Sequence, residues 1–139
     1  PARARRAAAE AGAGDRIAFT GSVPHTDVPG YLADAHVGLA PFSPAEYRAL
    51  ELGWYWSPIK LFEYMAGGRP IVTPALRECA RYRGVLIAAD RDDYVTHLQA
   101  AVTLGDDPEY VSGLRRTARA NTWDKRAGTL IDSVARSGR

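Results

Sequence analysis

The chain has 139 residues, a formal net charge of +2, 46% apolar and 24% charged residues, the make-up of one soluble globular domain. That charge is too small to argue for a nucleic-acid surface, and no apolar run reaches the ~20 residues that cross a bilayer as a helix. Pro1-Ala2-Arg3-Ala4-Arg5-Arg6 has no apolar core behind it and does not read as a secretory signal. The single cysteine, Cys79, excludes an internal disulfide and a cysteine-pair metal site, and a reducing cytoplasm fits.

Helix and strand signals alternate along the chain. An Ala-rich helix is expected over 3–11, stopping at Gly12 or Gly14, and a strand over 16–20. Thr26-Asp27 open a short helix to about Ala35, and 36–41 read as a second strand. A loop over 42–56 carries Pro44, Gly53 and the aromatic cluster Trp54, Tyr55 and Trp56. Ser57 is then a good N-cap, because its hydroxyl can accept a bond from a first-turn N–H. Pro58 sits at the first helical position, where its missing N–H costs nothing. Gly67-Gly68 can end that helix through a left-handed residue, and Ile71-Val72 start a strand that Pro74 ends. A helix over 75–82 and a strand over 85–89 come next. Asp90 with Asp93 three residues on marks a helix to about Leu104. Asp107-Pro108 open another to about Ala120, and Thr122 caps the last. The alternation predicts an α/β fold: a Rossmann-like parallel sheet with helices on both faces. With no repeat, low-complexity tract or linker, residues 1–139 form a single domain, with C-terminal helices from about 107.

One residue in this pattern serves no folding purpose: Glu63, a carboxylate one turn into an otherwise apolar helix. A helix N-terminus turns N–H groups toward phosphate, and a carboxylate one turn below can face ribose hydroxyls. The alternative is an ordinary exposed helix glutamate. The run Ser57-Pro58-Ile59-Lys60-Leu61-Phe62-Glu63-Tyr64-Met65-Ala66-Gly67-Gly68-Arg69-Pro70-Ile71-Val72 resembles the donor-site segment of retaining GT-B glycosyltransferases of the group 1, family 4 type. That family includes many bacterial mannosyl- and glucosyltransferases. Ile17-Ala18-Phe19-Thr20-Gly21-Ser22-Val23-Pro24 resembles an upstream strand and loop of the same family, and Tyr31 to Pro41 its next helix and strand. The similarity covers most of residues 14 to 90, and Asn121-Thr122-Trp123-Asp124 fits the family's tail. Several matched blocks in order are far more specific than one Gly-rich motif.

The resemblance carries roles onto particular residues. Glu63 corresponds to the second carboxylate of the family's Glu-x7-Glu motif, which accepts charge-assisted bonds from ribose hydroxyls. Ser57, Pro58, Ile59 and Lys60 form the phosphate-facing turn. Main-chain N–H groups of Ile59 and Lys60 bind pyrophosphate with the helix dipole, and the Lys60 ammonium adds a charge or simply faces solvent. Gly21, Ser22 and Val23 follow a strand at its carboxyl end and correspond to the base-binding loop; the alternative is a turn glycine and a core valine. The first motif carboxylate is absent: Tyr55 stands in its place, with Glu51 four residues upstream, and these two are the donor-sugar contacts to consider. Trp54, Tyr55 and Trp56 either pack or stack on a sugar face, and Trp123 is expected to pin the last helix to the domain.

The implied reaction transfers a hexosyl group from a nucleoside diphosphate sugar to an acceptor with retention of configuration, in carbohydrate or cell-envelope polysaccharide biosynthesis. No catalytic residue can be assigned, no cofactor is implied, and no cluster of metal-ligand residues is present. The family's C-terminal domain opens with a strand and a Gly-bearing loop upstream of the matched region. In the doubly wound order that strand lies centrally, between 16–20 and 71–73. The chain therefore reads as the C-terminal part of a longer GT-B enzyme without that first strand, inactive alone. The acceptor (sugar, lipid or small molecule) is held by an N-terminal domain outside this sequence. Arginines near both ends read as solvated helix faces, with contact to anionic lipid at the inner membrane face as the lesser alternative. A non-catalytic sugar-nucleotide-binding or scaffold protein descended from a transferase is the other reading, supported by Tyr55.

Overall fold

The computed structural model describes residues 2–41 and 59–137, and the chain divides into two compact units, 1–31 and 32–139. In the first, α1 (Ala2–Glu10) buries Ala8. A turn at Gly12 and a 3-10 turn at Gly14–Arg16 lead into residues 17–20. These were expected as a strand. Ile17 does have extended backbone, but 17–20 join no sheet. Extended chain becomes a strand only when a neighbour takes its N–H and C=O groups. Here the Phe19 carbonyl accepts from the Arg5 guanidinium at 3.3 Å, and that guanidinium lies 4.6 Å from the Phe19 ring centre. A further 3-10 turn, His25–Asp27, precedes α2 (Val28–Asp34).

The second unit holds the sheet. β1 (Gly38–Leu39), β2 (Ile71–Pro74) and β3 (Val85–Ala88) are all parallel, in the order β1-β2-β3. Gly38 pairs with Ile71, and Ile71 with Val85. The Ile71 strand thus has a parallel neighbour on each side, Gly38–Leu39 and Val85–Ala88. The structure is of the expected Rossmann-like α/β class, with a small parallel sheet flanked by helices.

Period-2 alternation sorts the strand residues onto two faces. Ile71, Thr73, Val85 and Ile87 face α3 (Ile59–Gly67) and α5 (Pro108–Ala120), and Leu61, Met65, Leu76, Cys79, Leu114 and Ala118 complete that core. Val72 and Leu86 lie on the other face, under α4 (Arg91–Leu104). Tyr94 donates to the Val72 carbonyl at 3.2 Å, and His97 sits 3.1 Å from the Ile87 carbonyl, so it serves packing.

The helix ends follow their local chemistry. Asp90 accepts from the Asp93 N–H and Asp93 from the Ala89 N–H, both at 2.9 Å. Asp107 accepts from the Glu109 and Tyr110 N–H groups, with Pro108 at the first helical position. The helix expected over 75–82 is instead one 3-10 turn, Cys79–Arg81. Burying Leu76 and Cys79 on one side needs only a three-residue repeat, and Gly84 at φ +87° redirects the chain into β3. The last helix, α6 (Trp123–Ser137), is not pinned by Trp123, which is 72% exposed. Arg126, near the start of that helix, lies 4.8 Å from the Phe62 ring centre on α3.

Candidate functional site

Open parallel sheets bind ligands at the carboxyl ends of their strands. α3 finishes at Gly67, just before β2 begins at Ile71, so it runs back along the sheet and its first turn lies toward those carboxyl ends. Ile59 and Lys60 are exposed there. At about 100° per residue, Leu61 and Met65 share the buried side of α3 while Glu63, two residues from each, points away from both. Glu63 is partly buried. Its charge reaches Tyr64, whose phenol is pushed above the ordinary value of 10.0 by burial first and by the Glu63 carboxylate second.

The end of α3 is a Schellman motif. Gly68 takes φ +69°; its N–H donates to the Met65 carbonyl at 3.0 Å and the Arg69 N–H to the Tyr64 carbonyl at 2.9 Å. The side chain of Arg69 donates to the Ala33 carbonyl at 2.8 Å, both residues lying in the second unit.

Two side chains flank Glu63. Phe62 meets Tyr82 edge-to-face, ring centres 5.1 Å apart. Tyr64 lies over Gly38, where a Cβ would fall 2.5 Å from its Cγ, and its hydroxyl donates to the Leu39 carbonyl at 3.2 Å. The sequence carried one clue to this contact: a glycine inside a strand marks close approach by another group.

Of the other expected site residues, Gly21, Ser22 and Val23 belong to the first unit. Gly21 uses φ +75°; Gly21 and Ser22 are exposed and Val23 is half-buried. Ser57, Pro58, Tyr55 and Glu51, with Trp54 and Trp56, lie outside the described residues. Among the described residues no group of three or more His, Cys, Asp or Glu side chains could hold a metal ion, and no helix is long and apolar enough to cross a membrane. A shallow cavity of about 400 Å³ at the α4–α5 turn, lined by Asp106, Ser112, Arg115 and Arg119, lies toward the amino ends of the strands, the wrong end for ligand binding in this architecture.

A parallel sheet with helices on both faces, and a helix starting at its carboxyl edge with an outward carboxylate, is a Rossmann-like domain of the kind that glycosyltransferases use. Residues 1–104 match the family described as "Glycosyl transferases group 1", and the chain belongs to that family. It is 24% identical over 113 residues to a Bacillus subtilis protein named as a candidate teichuronic acid biosynthesis glycosyltransferase. That match covers 78% of this chain and 27% of the relative, so the chain spans about a quarter of the length of the protein it resembles. No solved structure matches it significantly.

Proposed function

We propose that this chain supplies the donor-binding half of a hexosyltransferase that takes a nucleoside diphosphate sugar and transfers the sugar with retention of configuration. The observation that carries the reading is Glu63, placed one turn into α3 and turned away from the Leu61–Met65 core. A carboxylate so placed accepts hydrogen bonds from two adjacent ribose hydroxyls. The N–H groups of Ile59 and Lys60, with the helix dipole behind them, then face the diphosphate. That charge balance stabilises the leaving group as the glycosidic bond breaks. Lys60 adds a mobile cation beside it. By the sequence resemblance, Ser57 and Pro58 are further candidates for the diphosphate, and Gly21, Ser22 and Val23 are candidates for the base. Tyr55 and Glu51 remain the candidates for donor-sugar contact. The acceptor is bound elsewhere in the full protein. The relative named for teichuronic acid biosynthesis fits a role in carbohydrate or cell-envelope polysaccharide biosynthesis.

The test is Glu63→Ala in the full-length protein. Losing a hydrogen-bonded charge is worth about 1.5–3 kcal/mol, so affinity for the nucleoside diphosphate should fall roughly ten- to a hundred-fold with the thermal transition unchanged. Calorimetry giving wild-type affinity would sink the ribose assignment.

A further inference from the structure

The carboxylate of Glu63 can meet a ribose only if α3 is held at one rotation about its own axis. Leu61 and Met65 bury the far side of the helix in an apolar core, and apolar contacts alone fix rotation weakly, because they have no direction. The directional contacts are on the flanks. At about 100° per residue, Tyr64 lies to one side of Glu63 and Phe62 to the other. The Phe62 flank rests on Tyr82 and Arg126, a ring edge and a guanidinium on a flexible stem. The Tyr64 flank is the stiffer of the two. Its ring fills the place where any other residue at position 38 would carry a side chain, and its hydroxyl bonds to the Leu39 main chain. Both contacts are to the backbone of β1, itself held to β2 by Gly38 N–H to the Pro70 carbonyl at 2.8 Å and Ala40 N–H to the Val72 carbonyl at 3.1 Å. The Tyr64 carbonyl also accepts the Schellman bond from Arg69, so one residue joins the helix stop, the helix rotation and the sheet.

We propose that Tyr64, seated over Gly38, is a positioning residue that sets the rotation of α3 and thereby aims Glu63 at the donor. This rests on the ribose reading of Glu63. A carboxylate about 6 Å from a helix axis moves by roughly 1 Å when the helix rolls by about 10°, and misplacement on that scale is enough to degrade an oriented contact severely. Tyr64 acts through Glu63 and does not touch the ligand, so its effect should vanish once Glu63 is gone.

A double-mutant cycle in the full-length protein tests this, with UDP and GDP as calorimetric probes and melting temperatures measured on the same samples. Tyr64→Ala should weaken nucleotide binding roughly tenfold, at the lower end of the loss of a charged hydrogen bond. In the Glu63→Ala background it should weaken binding no further, because the two effects are coupled. Gly38→Ala should weaken binding when Tyr64 is present and be tolerated with Tyr64→Ala, which vacates the space. Full additivity of the Tyr64 and Glu63 effects overturns the proposal, as does a lower melting temperature for Tyr64→Ala with unchanged affinity. If Tyr64→Ala does not fold, Tyr64→Phe keeps the ring in place and should weaken binding about threefold by losing the hydroxyl bond; wild-type affinity in that variant overturns it equally. Glu63→Ala without effect, or wild-type protein that binds neither nucleotide, removes the ribose reading instead.

Discussion

The left-handed residue that ends α3 is constrained both by its own backbone and by its neighbours. Gly68→Ala carries two separable costs. At φ +69° an alanine Cβ crowds its own backbone, a penalty of about 1–2 kcal/mol. The added Cβ would also fall 2.8 Å from Val111 Cγ1 and 2.9 Å from Arg115 Nε, both on α5. Overpacking of this kind costs typically 1–3 kcal/mol. The Arg115 end is a flexible, exposed side chain and can move away, so the lower part of that range applies. The total is about 2–4 kcal/mol, and near 4 °C per kcal/mol for a domain of this size the melting temperature should drop by roughly 8–16 °C. Gly67→Ala is the control. It has no positive φ, and its nearest contacts are ordinary ones at 3.5–3.8 Å, so it should be neutral or slightly stabilising. Urea and thermal unfolding followed by circular dichroism measure both. A Gly68→Ala variant within 0.5 kcal/mol of wild type, or one no worse than Gly67→Ala, refutes the reasoning.

Asp90→Ala removes the acceptor for the Asp93 N–H and should cost about 1 kcal/mol, read as a shifted urea midpoint with an unchanged slope; no shift would mean that Asp93 and water replace the cap. Stability should also fall at alkaline pH. Burial holds the Cys79 thiol above its ordinary 9.0 and the Tyr64, Tyr94 and Tyr110 phenols above 10.0. The folded state therefore binds more protons than the unfolded one, and this stabilisation is complete below pH 9 and is lost as pH rises through the raised values. A melting temperature that is flat from pH 9 to 11 would contradict it.

Much of this structure could be read along the chain because it depends on neighbours in sequence. The Gly67-Gly68 stop, the Asp90 and Asp107 caps and the short apolar strands at 71 and 85 are set by groups within four or five residues of one another. Glu63 stood out for the same reason: helical spacing alone turns it away from Leu61 and Met65. What depended on partners distant in sequence was not readable. Residues 17–20 have a strand's composition, but a strand exists only where another strand accepts it, and the Phe19 carbonyl is taken by Arg5 instead. Leu76 and Cys79 carry a helical spacing that the core satisfies with a single tight turn. Trp123 looks like an anchor from its size, yet it is exposed, while the neighbouring Arg126 reaches the Phe62 ring. Gly38 and Tyr64 are 26 positions apart in the chain, and only the packing of α3 on β1 makes the absent side chain of one the seat of the other. Capping and periodicity are local physics and are written into the sequence directly. Pairing and shape complementarity arise when surfaces remote in sequence meet, and there the tertiary structure alone decides.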